Sequence, residues 1–446
     1  MHSTTGMDFS TLTFILAGGQ GKRLSPFTTG RAKPLVSFGG VFKIIDFTLS
    51  NCVNSGLERA FLLTQYKADS VRSYIEASSW TTDFVCLPSS PSSGYHGTAD
   101  SVYKNMHLFS QEKADYVLIL ASDHIYKMDY RRLLRFHASH GGDATIAAVQ
   151  YPRKLSRELG ILDVDERGQV IDFEEKPEYP RVRRSDSSMV LASMGIYVFN
   201  AATLRKALLR DAGNFNGSHE FGKDLLPDLI RTARVFAYDF TNNNGPLGAY
   251  WRDVGNIDTY YRAHMELLLL NSTFDPYGDA RWPVCSGGRH LQFQSAGPNA
   301  GRNPDLNSSY GVDSVISPDS DVSGAAVQQS VLSPSVHVAP SAEISGSVLM
   351  SGVRVGHGAK VRHAIIGEGV VIPEGAQIGC DFTEDRRRFH VTANGVVVVH
   401  GPDAARIGIS APSARVEDRA FATATGVFES STRKERRGAA LRSLRE

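Results

Sequence analysis

The sequence predicts an α/β domain followed by a parallel β-helix. Three observations lead to this fold class. Short apolar runs alternate with helix-like stretches up to about residue 275, which is typical of βα units around a mostly parallel sheet. Residues 276–312 are rich in Pro, Gly, Asn and Ser and show little periodicity, which indicates a linker. The region after it repeats with a fixed step, which indicates stacked coils.

In the first region, apolar runs bounded by polar residues predict strands, and apolar residues at helical spacing predict helices. The expected strands are Leu12–Leu16, Arg59–Thr64, Tyr116–Leu120, Ala144–Val149 and Gly195–Phe199. The expected helices are Tyr130–His140 and Ile257–Leu270. Either Asn256 or Asp258 could cap the second helix. We therefore expect residues 1–275 to form a nucleotide-binding α/β domain.

The repeat predicts a parallel β-helix over residues 313–410. Four alanines fall 17 residues apart, at Ala325, Ala342, Ala359 and Ala376. The apolar pairs Val331-Leu332, Val348-Leu349 and Ile365-Ile366 keep the same step. About four coils that bury their apolar faces against one another explain this pattern. Strands of a β-sandwich are the alternative, although alternation alone would not hold a fixed step. The basic tail, residues 411–446, is expected to be disordered.

Composition excludes several classes of function. The 446 residues include 48 basic and 47 acidic side chains, a net charge of +1, so nothing in the balance attracts nucleic acid or an anionic membrane. The run Leu267–Leu270 is too short to span a bilayer. The cysteines Cys52, Cys86, Cys285 and Cys380 lack metal-ligand spacing. We expect reduced thiols in a cytoplasmic protein with no membrane or nucleic-acid partner.

The first predicted strand runs directly into Leu16-Ala-Gly-Gly-Gln-Gly-Lys-Arg-Leu24. Three glycines leave backbone N–H groups unshielded, so that phosphate oxygens can approach them closely. This turn lacks the third glycine of a dinucleotide-binding fingerprint. Arg23 stands where a P-loop requires Ser or Thr. The loop therefore predicts a phosphate site of another type.

Further motifs follow in a fixed order, and in combination they are highly specific. They are Arg31-Ala-Lys-Pro-Leu-Val36, Ile44-Ile-Asp-Phe-Thr-Leu-Ser-Asn51, Gly97-Thr-Ala-Asp100, Ser122-Asp-His-Ile-Tyr126, Phe173-Glu-Glu-Lys-Pro177, Ser193-Met-Gly195, His219-Glu-Phe-Gly-Lys-Asp224 and Tyr250-Trp-Arg-Asp-Val-Gly255. With them the chain resembles the bacterial and plant ADP-glucose pyrophosphorylases over nearly residues 12–400. The resemblance implies a Rossmann-like nucleotidyltransferase domain with a GT-A-like mixed sheet, a left-handed β-helix and a homotetramer.

The resemblance also implies a reaction. ATP and glucose 1-phosphate would give ADP-glucose and diphosphate by Mg²⁺-dependent in-line transfer, as a step in glycogen or α-glucan synthesis. Phosphorylated metabolites would act as effectors. The implied roles are catalysis by Arg23, Lys33 and Asp123; magnesium binding by Asp123 and Asp253; nucleotide binding by Leu16, Ala17, Gly18, Gly19, Gly21, Tyr95, Gly97 and Thr98; sugar-phosphate binding by Gly160, Glu175, Lys176 and Ser193; and effector binding by Arg31, Arg387 and Arg388.

One departure from the family keeps alternatives open. The loop Leu87–Tyr95 carries serines where most relatives have paired glutamines, and an amide can read a base edge. A nucleotidyltransferase for another base or sugar phosphate therefore remains an alternative. So does a regulatory subunit with weak catalysis, although Arg23, Asp123, Lys176 and Asp253 are retained. A third alternative is acyl transfer in the β-helix with His337, His357 or His363 as the base.

Overall fold

The computed structural model describes residues 9–180, 188–269, 274–290, 313–317 and 319–401. The predicted tail over residues 411–446 and the second part of the predicted linker, residues 291–312, lie outside the described residues.

The α/β domain contains strands in a mixed sheet, in two small pairs and in a terminal hairpin. The strands are β1 (Thr11–Ala17), β2 (Ser37–Phe38), β3 (Phe42–Lys43), β4 (Arg59–Thr64), β5 (Asp83–Pro88), β6 (Tyr116–Ala121), β7 (His124–Tyr126), β8 (Ala144–Pro152), β9 (Gly160–Val164), β10 (Val170–Glu175), β11 (Met189–Asn200), β12 (Val235–Asp239), β13 (Trp251–Asp253), β14 (Cys285–Ser286) and β15 (Arg289–His290).

Helices cover both faces of this sheet, and one more closes the C-terminal domain. The α-helices are α1 (Ile44–Asn54), α2 (Ala68–Ala77), α3 (Thr98–Lys104), α4 (Leu108–Gln111), α5 (Tyr130–His140), α6 (Ala201–Ala212), α7 (Leu226–Thr232), α8 (Phe240–Asn243), α9 (Ile257–Glu266) and α10 (Phe382–Arg388). A π-helix over Phe221–Leu225 leads into α7.

The mixed sheet has the order β10-β9-β11-β6-β1-β4-β5, and β8 pairs with β11 and β12. Strands β6, β1, β4 and β5 run parallel, whereas β11 runs antiparallel to β6, β8 and β9. Each predicted strand is confirmed. Strand β11 begins at Met189, six residues earlier than expected, and a bulge between Ser193 and Ile196 interrupts its pairing with β8. Gly195, with φ 66°, supplies the left-handed residue of this bulge.

Consecutive residues of the central strand face two separate cores. On β1, Phe14 packs among side chains of α3, α6 and α7, while Ile15 packs among those of α1, α2 and α5. Both are fully buried. Because helices cover both faces, a central strand needs apolar residues at every position, and this explains the continuous run in the sequence.

The two predicted helices are confirmed, and one of them is shorter than expected. Helix α5 has the predicted bounds. Helix α9 ends at Glu266 because the next three amide groups bond three residues back, from Leu267 to His264, Leu268 to Met265 and Leu269 to Glu266. Asn256 caps it by accepting a hydrogen bond from the Thr259 amide at 2.9 Å.

The C-terminal domain is a left-handed β-helix with three sheets whose strands run parallel, except that β27 pairs antiparallel with β28. Its strands are β16 (Val315–Ile316), β17 (Ala326–Gln328), β18 (Val331–Leu332), β19 (His337–Val338), β20 (Glu343–Ser345), β21 (Val348–Leu349), β22 (Arg354–Val355), β23 (Lys360–Arg362), β24 (Ala364–Ile366), β25 (Val371–Ile372), β26 (Gln377–Ile378), β27 (His390–Val391) and β28 (Val397–Val399). Their sheets run β16-β18-β21-β24-β28-β27, β17-β20-β23-β26 and β19-β22-β25.

The pairing of these strands explains the repeat. Val331 pairs with Val348, and Val348 pairs with Ile365, so one turn of the coil takes 17 residues. Ala325, Ala342 and Ala359 are buried inside the coils, and Ala376 is partly buried against the same core. The predicted β-helix is therefore confirmed in preference to a sandwich.

The two domains share an apolar interface. Val331, Val348 and Ile365 of the β-helix pack in one cluster with Phe27 and Tyr260 of the α/β domain. A hydrogen bond from the Tyr261 hydroxyl to the Gly346 carbonyl at 2.5 Å adds a polar contact. One face of the β-helix is thereby covered by the α/β domain.

The first part of the expected linker packs against α1. The Trp282 indole, 6% exposed, donates to the Asn51 side-chain oxygen at 2.8 Å, and Asn54 donates to the Pro283 carbonyl at 2.9 Å. The Tyr277 hydroxyl donates to the Gly39 carbonyl at 2.8 Å. Residues 274–290 therefore form a strap across the α/β domain.

Candidate active site

The glycine turn follows β1 and packs directly on a lysine. Gly21 has φ 64°, a conformation that favours glycine. A Cβ atom on Gly21 would lie 2.7 Å from the Lys33 Cβ, so only glycine allows this approach. The Ser122 hydroxyl ties the end of β6 to the end of β1 by donating to the Leu16 carbonyl at 2.6 Å. Both features lie at the carboxyl edge of the parallel strands, where open α/β sheets bind ligands.

Lys33 lies between the two aspartates that were expected to bind a metal. Its Nζ is 2.8 Å from Asp123 Oδ2 and 3.7 Å from Asp253 Oδ1. The two aspartates come from paired strands or their ends: Asp253 pairs with His124 in the β13–β7 ladder, and Asp123 directly precedes His124. Three residues spread over 220 positions of the sequence thus converge at one point.

The electrostatics of this group favour its charged form. Burial works against the Lys33 ammonium, but the Asp123 and Asp253 carboxylates outweigh burial and raise its pKa. Burial would raise the pKa of Asp123, yet the neighbouring Lys33 and His124 side chains hold that pKa well below its usual range. Asp123 is therefore an ionised carboxylate throughout the neutral pH range.

Asp123 and Asp253 suit a hard divalent cation. Both supply carboxylate oxygens, and both face the same ammonium group. Among the described residues there is no group of three or more His, Cys, Asp or Glu side chains that could hold a metal alone. Mg²⁺ commonly takes one or two carboxylates and completes its shell with substrate phosphates and water. The pair fits that mode of binding, and not a closed protein site.

A cavity of about 450 Å³ opens beside this group. Its lining includes expected residues from the nucleotide, catalytic and sugar-phosphate sets: Leu16, Gly18, Gly19, Lys33, Tyr95, Gly97, Thr98, Asp123, Glu175 and Lys176. Apart from Tyr95, these residues come from five separate motifs of the sequence. The same cavity is thus lined by the glycine turn and by Glu175 with Lys176.

Two glycines leave the space that the Glu175 carboxylate occupies. A Cβ atom on Gly160 would lie 2.9 Å from Glu175 Oε2, and one on Gly222 would lie 2.3 Å from it. Gly160 therefore shapes the wall around Glu175, as Gly222 does from the π-helix. Lys176 follows with φ 49°, a strained value for a lysine, and its amide donates to the Leu159 carbonyl at 3.1 Å.

We predict that Gly222→Ala displaces Glu175. The new methyl group would overlap the carboxylate, so the expected result is a KM for the sugar substrate raised about tenfold or more, with a smaller change for the nucleotide. Steady-state kinetics with each substrate varied in turn measures this. Gly213→Ala, at the end of α6 and outside the cavity lining, is the control, since its added Cβ would make only ordinary contact at 3.4 Å from the Arg210 carbonyl oxygen. Equal KM increases for both substrates would show that Gly222 does not act through Glu175.

Two residues that line the cavity carried no expected role. Gln65 follows β4, and its side-chain oxygen accepts from the Tyr95 amide at 2.6 Å. Glu220 accepts from the Thr98 hydroxyl at 2.5 Å. Both side chains line the cavity. The position of Gln65 directly after a parallel strand beside β1 was a usable signal. Glu220 lies in a recognised motif but carried no expected role.

Other expected residues lie around the cavity and do not line it. Ala17 is buried at the end of β1. Ser193 lies at the bulge of β11, where its hydroxyl accepts from the Gly195 amide at 3.3 Å. Arg23 forms an ion pair with Glu158, and about half of each side chain is exposed. Glu158 was not anticipated, because the turn that carries it has no distinctive motif.

The three expected effector arginines have carboxylate partners in different places. Arg31 forms a bidentate ion pair with Glu368 of the β-helix. Arg387 lies 3.7 Å from Glu384, and Arg388 lies 3.4 Å from both Glu384 and Asp385. These carboxylate contacts of Arg387 and Arg388 lie within α10, whereas the ion pair of Arg31 crosses between the domains. Arg388 also donates to the Gln377 carbonyl at 3.1 Å.

Comparison with known proteins decides the family. The nucleotidyl transferase family model matches residues 12–269, and a GlmU-like C-terminal hexapeptide model matches residues 301–399. The glucose-1-phosphate adenylyltransferase of Nitrosococcus oceani is 42% identical over 401 residues, which cover 87% of this chain and 93% of the relative. The chain belongs to the glucose-1-phosphate adenylyltransferase family. The family's enzyme from Rhodopirellula baltica is 40% identical over 87% of this chain and 89% of its own. Enzyme 1 of Vibrio parahaemolyticus is 37% identical over 89% of this chain and 99% of its own.

This membership confirms the family that the sequence motifs indicated. It also confirms the predicted nucleotidyltransferase domain and left-handed β-helix. The three histidines considered for acyl transfer do not line the cavity described above. His337 and His357 are exposed, and His363 accepts or donates to the Tyr261 hydroxyl at 3.0 Å at the domain interface. Within the described parts of the chain, no helix has the length and apolar character needed to cross a bilayer.

Proposed function

We propose that this glucose-1-phosphate adenylyltransferase family member condenses ATP and glucose 1-phosphate into ADP-glucose and diphosphate, and thereby supplies glycogen or α-glucan synthesis. The observation that carries the proposal is the single cavity that joins the glycine turn, Lys33 with Asp123, and Glu175 with Lys176. Two phosphorylated substrates need such a shared space, because the attacking and leaving oxygens must lie in line.

In the proposed reaction, a phosphate oxygen of glucose 1-phosphate attacks the α-phosphorus of ATP. One P–O bond forms, the bond between the α-phosphorus and its bridging oxygen breaks, and diphosphate leaves with the electron pair. No proton needs to be removed from the attacking phosphate at neutral pH. The protein therefore contributes position and charge, and not a general base.

The proposed roles divide the cavity into a nucleotide side and a sugar side. Amides of Gly18, Gly19 and Gly21 approach the triphosphate, with Arg23 and Lys33 as cations. Ala17 and Leu16 form the floor, and Tyr95, Gly97 and Thr98 lie against the nucleoside. Glu175 and Ser193 bind glucose hydroxyls beside Gly160, and Lys176 binds the sugar phosphate.

Mg²⁺ is the proposed cation at Asp123 and Asp253. When bound, it neutralises phosphate charge and orients the triphosphate. Lys33, at 2.8 Å from Asp123, keeps that carboxylate ionised and ready for a cation. We further propose a cytoplasmic homotetramer controlled by phosphorylated metabolites at Arg31, Arg387 and Arg388. Residues 1–275, 276–312 and 313–410 would act as catalytic domain, linker and β-helix. The basic tail stays without an assigned role.

The test is a product assay with purified protein, glucose 1-phosphate and each of ATP, UTP, GTP, CTP and dTTP. We expect ADP-glucose and diphosphate from ATP as the preferred substrate. A preference for another nucleotide would assign another base, which the serine-rich loop Leu87–Tyr95 leaves open. No sugar nucleotide from any of them, in a folded protein with metal, would favour a regulatory subunit.

A second test concerns Lys176. We predict that Lys176→Ala raises the KM for glucose 1-phosphate by about 10²-fold and leaves the KM for ATP nearly unchanged, because it removes a charge-assisted contact to one substrate only. Lys154→Ala, in the turn after β8 and away from the cavity lining, is the control. An equal rise for ATP would place Lys176 on the triphosphate.

A further inference from the structure

A carboxylate of the β-helix occupies a cationic cleft between the two domains. Arg31 Nη1 donates to Glu368 Oε1 at 2.6 Å, and Nη2 donates to the second carboxylate oxygen, Oε2. The Ser37 hydroxyl donates to Glu368 Oε1 at 3.2 Å, and Lys43 Nζ donates to the Ser37 hydroxyl at 3.0 Å. Side chains of Arg31 and Glu368 are 25% and 24% exposed, so water reaches this ion pair.

The charges in this cleft are those of an anion site. Burial would raise the pKa of Glu368, but Arg31 and Lys43 hold it below its usual value, so Glu368 is ionised. Two cationic side chains, Arg31 and Lys43, therefore act on this one carboxylate. A carboxylate presents two oxygens to a guanidinium in the same fork geometry as a phosphate edge. Glu368 thus stands where a phosphate group would bind.

The cleft is connected to the catalytic group through the chain. Arg31 is two residues before Lys33. The residues after it are held tightly: Ala32 is fully buried, and Val36 is 1% exposed. Because packed segments shift as units, movement of the Arg31 side chain can change the position of Lys33 between Asp123 and Asp253. Glu368 itself follows β24, whose Ile365 packs in the interface between the domains.

We propose that Glu368 is a tethered anion: it occupies the effector cleft of Arg31 and Lys43, and it positions the Lys33 loop in place of a bound phosphorylated metabolite. The proposal rests on the proposed function. It means that a phosphorylated effector must compete with Glu368 for Arg31. This chain should therefore respond weakly to such effectors, and its activity should depend little on them.

The experiment compares wild type with Glu368→Gln in buffer free of phosphate and sulfate. Glutamine keeps the shape and removes the charge. We expect kcat to fall severalfold in Glu368→Gln and to recover when orthophosphate or fructose 1,6-bisphosphate is added. The half-saturating concentration of these anions should be about tenfold lower than for wild type, within the usual range of coupling between two sites. Glu343→Gln is the matched control, since Glu343 also pairs with two cations, Lys360 and Arg362, on the β-helix surface.

Three outcomes would overturn the proposal. Activity of Glu368→Gln could be unchanged without anions, which would show that the ion pair does not position Lys33. It could fall and not be restored by any anion, which would make Glu368 only a structural contact between domains. Wild type could respond to orthophosphate as sensitively as Glu368→Gln. Calorimetric titration of both proteins with orthophosphate measures anion binding at Arg31 without turnover. A failure of this inference can therefore be distinguished from a failure of the proposed reaction.

Discussion

Asp123→Asn is expected to lower kcat by about 10²–10³-fold, the loss typical when one charge-stabilising group is removed from a reaction centre. The carboxylate is the closer partner of Lys33, at 2.8 Å, and its pKa lies well below the usual range. Asparagine keeps the volume and hydrogen-bonding oxygen but removes the negative charge that would hold the metal. Diphosphate release, followed as Mg²⁺ is titrated, measures the effect.

The apparent affinity for Mg²⁺ should fall together with kcat. Asp172→Asn, a change at an exposed residue of β10, controls for the loss of a carboxylate elsewhere. A folded Asp123→Asn protein that releases diphosphate at a nearly normal rate would contradict the assignment of Asp123.

Lys33→Met is expected to reduce kcat by about 10²-fold, because it removes the buried cation that, in the proposed reaction, binds the triphosphate. The substitution also leaves Asp123 and Asp253 without the ammonium that separates their charges. We therefore expect a lower Tm in a chelator and a larger rise in Tm on adding Mg²⁺ than in wild type.

Thermal unfolding with EDTA and with Mg²⁺, beside steady-state kinetics, tests both parts of this prediction. Lys360→Met, which removes a partly exposed lysine from the β-helix, is the control. An identical Mg²⁺ dependence of Tm in Lys33→Met and wild type would show that Lys33 and the cation do not share the two aspartates.

Local sequence patterns were sufficient to predict the strands and helices named in the sequence analysis. Strand β4 has the expected bounds because it contains a continuous apolar run, and helix α5 has them because it combines helical periodicity with a clear end at Gly141. The step of 17 residues was readable because each coil must meet its neighbours in register. The bulge in β11 could not be predicted, since it depends on three strands that pair with one.

Residues of the site could be predicted only where they belong to a recognisable sequence motif. Lys33, Asp123 and Glu175 lie in recognised motifs, and the structure brings them to one cavity. The partners Glu158 and Glu368 lie in turns without a distinctive pattern, and Glu368 is 337 residues from Arg31. No property of a turn in a β-helix reveals which residue of another domain will face it. Long-range ion pairs can therefore be identified only once the fold is known.

The strap over residues 274–290 sets a limit on how the molecule can be divided. The matched nucleotidyl transferase region ends at residue 269, yet Trp282 completes the hydrogen bonding of Asn51, which also accepts from the Met128 amide at 3.0 Å. A fragment cut at that boundary would leave a buried amide group half satisfied and an aromatic pocket exposed to water. Anyone isolating the N-terminal half for crystallography or engineering should keep the chain through residue 290.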